Sequence, residues 1–205
     1  MSAVIACPHR IWFIRHGETE YNREGRLQGQ QDIPLNPKGR EQASAVGRTL
    51  KKRAGPELDR LEAAHAFTAS PLVRTRQTME LARAAMGFPP AEYALCDDLK
   101  ELTFGDWEGL TWPEVEARFP EDATERATHK WTFTPPHGES YATLALRLTP
   151  WIAGLSQDVL VASHGGVARA LMHLIGGVAP KIAAEADIFQ GRTLIFAEGG
   201  FQWVG

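Results

Sequence analysis

The chain has 205 residues, 43% hydrophobic and 23% charged, which suits one domain spanning residues 1–205 and excludes a disordered or low-complexity protein. Lysine and arginine total 22 against 25 acidic residues. The net charge of −3 offers no broad positive field, so neither nucleic acid nor an anionic membrane is an expected partner. Any anion must be held by a local cluster. Cys7 and Cys96 are too few for a disulfide framework and lack metal-ligand spacing. The first residues have no basic region before an apolar run that ends at Pro8, and no stretch is long and apolar enough for a membrane span. A cytoplasmic, reducing setting is the expectation.

In chain order, residues 10–15 (Arg-Ile-Trp-Phe-Ile-Arg) form a short aromatic and β-branched run that predicts a buried strand entering a turn at His16-Gly17. Asn36-Pro37 supplies a helix cap and a first-turn proline, with Ala43, Val46, Leu50 and Ala54 at helical spacing behind them. Lys51, Lys52 and Arg53 read as that helix's solvated last turn. Residues 63–69 predict a second strand, and Ser70-Pro71 repeats the cap signal before Leu72, Met79, Ala82 and Met86. A short apolar piece follows at Tyr93 to Leu95, and from Leu102 to His137 the periodicity breaks down into aromatics, prolines and charges. Ser140 is placed to cap a helix carrying Tyr141, Leu144, Leu148, Trp151 and Leu155, which Pro150 should kink or split. Asp158–Ser163 is the clearest strand, followed by His164-Gly165-Gly166 and a helix from about Val167 to Ile175. Residues 186–204 read as strands joined at Gly191-Arg192 and Gly199-Gly200.

This alternation predicts a three-layer α/β/α fold with a mostly parallel sheet, an antiparallel edge from the tail, and a small cap around residues 102–137. It also brings chemistry together. His16 and His164 each lie just past a buried strand, and Arg74 lies in the first turn of the helix after a third. In an open α/β sheet, ligands bind beyond the carboxyl ends of parallel strands. Parallel strands would therefore deliver Arg15, His16, Arg74 and His164 to one edge. Gly17, Gly165 and Gly166 would let backbone approach a ligand closely, and helix N-termini would add N–H donors for an anion. Arginines beside the histidines would repel a metal ion, so no metal site is expected. His9, His65, His129, His137 and His173 have no such setting and read as structural or exposed.

Four segments together resemble the histidine phosphatase superfamily, the phosphoglycerate mutase-like proteins. Arg15-His16-Gly17-Glu18-Thr19-Glu20-Tyr21-Asn22 is similar to its R-H-G-E-[ST]-x-x-N signature, and Ser70 to Thr78 to its S-x-L-x-R-x-x-Q-T segment. Glu101 to Gly109 resembles E-x-x-F-G-x-W-E-G, and Ser163-His164-Gly165-Gly166 the second-histidine motif. The resemblance implies that His16 is a phosphorylated nucleophile and Glu101 a proton donor. It further implies that Arg15, Arg74 and His164 grip the phosphoryl oxygens, with Asn22 a further polar contact. The residue types suit that chemistry. Two guanidinium forks match a dianionic ester, and their charge keeps an imidazole neutral and nucleophilic. Charge neutralisation by arginine leaves no cofactor to be called for.

The same resemblance covers both mutases and phosphatases. Mutases carry a longer insertion between the proton donor and the second histidine, and an adjacent arginine pair for the substrate carboxylate. Residues 110–136 hold Arg118, Arg126 and Lys130 but no such pair. Gly105–Gly109, and Gln28-Gly29 with Asp32-Ile-Pro-Leu35, look like the small-phosphatase branch, which places Gln28 with the substrate-binding residues. The expectation is a phosphatase acting on small phosphorylated metabolites. The alternatives are a mutase and a non-catalytic phosphate-binding regulatory domain. Trp107, Trp112, Phe119, Trp131 and Phe133 either cover the pocket or pack a cap onto the sheet. Oligomeric state is not legible in the sequence.

Overall fold

The computed structural model describes residues 4–197 and 199–205. Residues 1–3 of the expected domain, and Glu198 of the expected tail strands, lie outside the described residues. A six-stranded sheet has the order β3-β2-β4-β1-β5-β6, with β1 at Ile11–Arg15, β2 at Phe67–Ala69 and β3 at Ala94–Leu95. Strand β4 is Val159–Ser163, β5 is Thr193–Ala197 and β6 is Gly200–Val204. The first four strands are mutually parallel, while β5 runs antiparallel to β1 and β6 antiparallel to β5. The expected mixed sheet with an antiparallel edge is what forms.

Helices cover both faces because the strands are apolar on both. Ile11 and Phe13 of β1 point with Val159 and Val161 toward α6 (Tyr141–Ala153) and α7 (Gly165–Leu174). Trp12 and Ile14 point with Leu160 and Ala162 toward α2 (Pro37–Ala63) and α3 (Val73–Met86). Strand side chains alternate with period two, so a run without polar interruption needs a layer on each side. Each fully buried Leu, Ile or Phe here contributes roughly 1.5–3 kcal/mol.

Several boundaries differ from the sequence reading. Lys51–Arg53 do not close α2; the backbone leaves helical geometry at Ala54 (φ −139°, ψ 31°), then continues helically to Ala63. Pro56 has no N–H to extend the first segment, and buried Leu58 and Leu61 dock the second one. The strand expected from residue 63 therefore starts at Phe67. Ser70 does not cap α3, which begins at Val73 after Leu72. Helix α6 passes through Pro150 as one element and ends at Ala153, short of Leu155. No strand forms in residues 186–192, where Arg15 and Arg169 take the backbone carbonyls of Ile188 and Ala186.

Four helices had no clear periodic signal: α1 (Glu20–Glu24), α4 (Trp112–Arg118), α5 (Pro120–His129) and α8 (Pro180–Glu185). Two of them build the cap. Trp107 is fully buried, stacked on Phe133 at 5.5 Å and flanked by Trp112 at 6.0 Å and Phe119 at 6.1 Å. With Leu27 and Val115 these rings make a small core of their own. Trp131 instead stacks on Tyr141 of α6 at 5.7 Å. Four of the five aromatics pack the cap, and none of the five lines the cleft beyond the strand ends. Among the described residues, no helix is long and apolar enough to cross a membrane.

Candidate active site

Strand register assembles the site. Arg15 pairs with Ser163 and Ala69 with Ala162, so β1, β2 and β4 end level with one another. Immediately beyond them His16 N–H donates to the Ser163 carbonyl (2.9 Å) and Ser70 N–H to that of Ala162 (3.0 Å). His16, Ser70 and His164 thus become neighbours, the two imidazoles 5.3 Å apart edge to face. Both histidines are buried.

A cleft of about 160 Å³ opens at this edge, lined among others by Arg15, His16, Asn22, Gln28, Arg74, Glu101 and Gly165. His16 Nδ1 lies 2.8 Å from the Gly17 carbonyl oxygen. A carbonyl can only accept, so Nδ1 carries the proton and Nε2 keeps its lone pair in the neutral ring. Burial first, then the charges of Arg74 and Arg15, hold the His16 pKa well below its ordinary 6.5. The arrangement offers an unprotonated imidazole nitrogen to an anionic ligand at neutral pH.

The arginines are held, and their free donors are few. The two terminal nitrogens of Arg74 donate to the carbonyls of Gln31 and Gly29, both at 2.7 Å. Its Nε is buried without a partner. Arg15 Nη1 donates to Ile188 O at 2.6 Å, and its Nε too is buried and unpartnered. Such donors are costly to leave empty, which fits an anion as their partner. Burial lowers both guanidinium pKa values, that of Arg74 to about 10, so both stay charged at neutral pH. The forks are thus already bonded in part to protein, a change from the simple bidentate picture.

Glu101 lies across from α7. Its Oε2 accepts the Gly166 N–H at 3.1 Å and its Oε1 the Leu102 N–H at 3.1 Å. A Cβ at position 166 would stand 2.2 Å from Oε1, so Gly166 is required by the carboxylate's position. Gly17 has a different reason: a Cβ there would meet the Gly39 carbonyl oxygen at 2.2 Å, where the turn passes the start of α2. It is absent from the cleft wall, unlike Gly165.

Asn22 sits in α1, its Oδ1 accepting from Thr19 N–H (3.2 Å) and Gln190 Nε2 (3.0 Å), which leaves its amide NH₂ for the cleft. Gln28 Oε1 accepts from the Thr19 hydroxyl at 2.9 Å, so its NH₂ is likewise available. His164 packs edge to face on His16 and is fully buried, with Nε2 2.8 Å from Ser70 Oγ and Nδ1 without a partner. Residues the sequence reading missed are Ser70, taken as a helix cap, and Tyr141 and Arg169 on the cleft wall. Arg169 follows Gly165 by one helical turn, a spacing that would have placed it on the same face. Among the described residues, no group of three or more His, Cys, Asp or Glu is placed to hold a metal ion.

Residues 11–203 match the model of the histidine phosphatase superfamily (branch 1). The chain is 35% identical over 167 residues to a 6-phosphofructo-2-kinase/fructose-2,6-bisphosphatase of Caenorhabditis elegans. That alignment takes in 80% of this chain but only 34% of the longer relative. It is 30% identical to a 2,3-bisphosphoglycerate-dependent phosphoglycerate mutase of Bartonella tribocorum, covering 89% of each chain. Among solved structures it resembles the alpha-ribazole phosphatase of Shigella flexneri (TM-score 0.75, 26% identity, 91% and 89% coverage). It also resembles a mycobacterial glucosyl-3-phosphoglycerate phosphatase complexed with VO3 (TM-score 0.76, 26% identity, 96% of each chain).

Proposed function

Because the chain belongs to the histidine phosphatase superfamily (branch 1), we propose that it is a metal-independent phosphomonoester hydrolase working through a phosphohistidine on small phosphorylated metabolites. The observation that carries this reading is the bare Nε2 of His16, facing a cleft whose wall also holds Arg15, Arg74 and Glu101.

In this reading the phosphoryl group sits against the free donors of Arg15 and Arg74, with the amides of Asn22 and Gln28 beside it. His16 Nε2 attacks phosphorus in line as the P–O bond to the leaving group breaks. Glu101 passes its proton to the departing oxygen. The carboxylate so formed then takes a proton from water as its oxygen bonds to phosphorus and the P–N bond breaks, releasing inorganic phosphate and returning His16 to its neutral state. Fixed arginine charges aimed at the phosphoryl oxygens supply the electrostatic stabilisation, with no reorganisation needed during the reaction. Glu101 is held by two backbone N–H groups, at Leu102 and Gly166, which point its carboxylate into the cleft.

A phosphatase is favoured over a mutase by the lack of adjacent arginines in residues 110–136. A non-catalytic binder is disfavoured because His16 and Glu101 are both present. The test is phosphate release from p-nitrophenyl phosphate in EDTA, followed by a panel of phosphorylated metabolites that includes 2- and 3-phosphoglycerate. The reading expects free phosphate without added metal. Interconversion of the two phosphoglycerates with no net phosphate, or binding without turnover, would overturn it.

A further inference from the structure

Ser70-Pro71 has the pattern of a helix cap, and the structure gives Ser70 another place. It is fully buried, one residue beyond β2, and pinned there by its own N–H on the Ala162 carbonyl (3.0 Å) and by Thr75 Oγ1 on its carbonyl (2.8 Å). Its hydroxyl oxygen lies 2.8 Å from His164 Nε2 and accepts a long bond from Leu72 N–H at 3.4 Å.

We propose that Ser70 is a positioning residue: its hydroxyl donates to His164 Nε2 and so fixes the His164 tautomer that carries its proton on Nδ1. This inference rests on the phosphatase reading for its consequence but not for its geometry.

The Ser70 hydroxyl has one proton, and among the described residues His164 Nε2 is the acceptor found for it. Were Nε2 to carry the proton instead, a buried O–H would be left without an acceptor. His164 Nδ1 would then be a bare lone pair, buried and unpartnered, in a site meant for an anion. When Ser70 donates, its O–H is satisfied and the unpartnered Nδ1 becomes an N–H donor suited to an anion. An unsatisfied buried polar group costs about 1–3 kcal/mol, enough to decide the tautomer. The remaining Nδ1–H is then a donor with no protein partner, on a ring whose centroid lies 5.3 Å from that of His16, and is left for an oxygen of the phosphoryl group. Burial first, then Arg74, His16, Arg15 and Arg147, keep the His164 ring neutral, so it has only one proton and its location matters.

The experiment is long-range ¹H–¹⁵N correlation NMR on the intact, ligand-free protein labelled at histidine, with the His164 signals assigned by their loss in His164→Asn. The expected result is a protonated Nδ1 and a bare Nε2 in the wild-type protein. In Ser70→Ala the proton should move toward Nε2, the position a free imidazole favours, and kcat on p-nitrophenyl phosphate should fall about ten- to a hundredfold. A wild-type His164 protonated at Nε2, or an unchanged tautomer in Ser70→Ala, would overturn the proposal. If Ser70→Ala does not fold, the wild-type spectrum alone decides. Because that spectrum needs no turnover, an inactive wild-type protein would sink the phosphatase reading while leaving the tautomer result to stand or fall separately.

Discussion

The cleft joins two regions built on different principles. On one side is the sheet edge, where His16, Ser70 and His164 each follow a strand whose register is fixed by its neighbours. On the other is the cap, whose Trp107, Phe133 and Val115 form a satellite core beside Leu27, away from both faces of the sheet. The edge cannot shift without breaking ladder hydrogen bonds between buried strands. The cap can be loosened by disturbing one small cluster. Chemistry that needs sub-ångström placement resides on the first, and the second supplies the neighbouring wall through Leu27 and Phe104.

The sharpest way to break this comparison is to remove the edge's central side chain. His16→Ala should lower kcat by more than about 10⁴-fold, the scale seen when a covalent nucleophile is lost. The arginines remain, so phosphate or vanadate binding should stay measurable by calorimetry. Activity within about tenfold of wild type would reject the covalent route.

Glu101 tests the seam between the regions. Glu101→Gln cannot donate a proton, so cleavage of an alkyl phosphate should fall by roughly 10²–10⁴-fold. The first step on p-nitrophenyl phosphate should suffer far less, since nitrophenolate leaves unaided. Rapid quench should show a burst near one nitrophenolate per site, then slow hydrolysis. Equal losses for both substrates with no burst would assign the proton to another residue.

A third expectation concerns pH and stability. His16 and His164 have pKa values held well below the ordinary 6.5, chiefly by burial. The unfolded chain takes up protons there below about pH 6.5 while the folded chain does not. Their contribution is complete above that pH and is lost as pH falls, by up to about 1.4 kcal/mol per histidine per pH unit. Urea unfolding at pH 7.5 and 5.5 should show it, with a shallower loss in His16→Asn. Identical slopes in the two proteins would contradict a buried neutral His16.

The smallest effect belongs to the cap. Phe133→Leu removes the ring stacked on Trp107 at 5.5 Å and should cost about 1–2 kcal/mol of stability. Turnover of p-nitrophenyl phosphate should change less than about threefold. A hundredfold loss of kcat would show that the cap holds the catalytic geometry as tightly as the sheet does.

The same contrast explains what the sequence made legible. Strands β1 and β4 are unbroken apolar runs ending in Arg15-His16-Gly17 and Ser163-His164-Gly165, so fold and chemistry could be read together. Register is non-local, and only the sheet shows that Ser70 reaches His164 across 94 residues of chain. Its hydroxyl suits a helix cap equally well, and local pattern cannot choose between the two roles. The cap helices stayed hidden because short helices around one tryptophan do not repeat a helical period for long enough. Gly17 and Gly166 looked like ligand-approach glycines, yet one is fixed by the Gly39 backbone and the other by the Glu101 carboxylate.

The most direct measurement of the central claim is rapid-quench trapping of the enzyme during turnover of ³²P-labelled substrate, followed by peptide mapping. The account predicts a phosphoryl group that is stable in base, labile in acid, carried on His16 and missing from His16→Ala. No covalent phosphate during turnover, or phosphate on any residue other than His16, would contradict it.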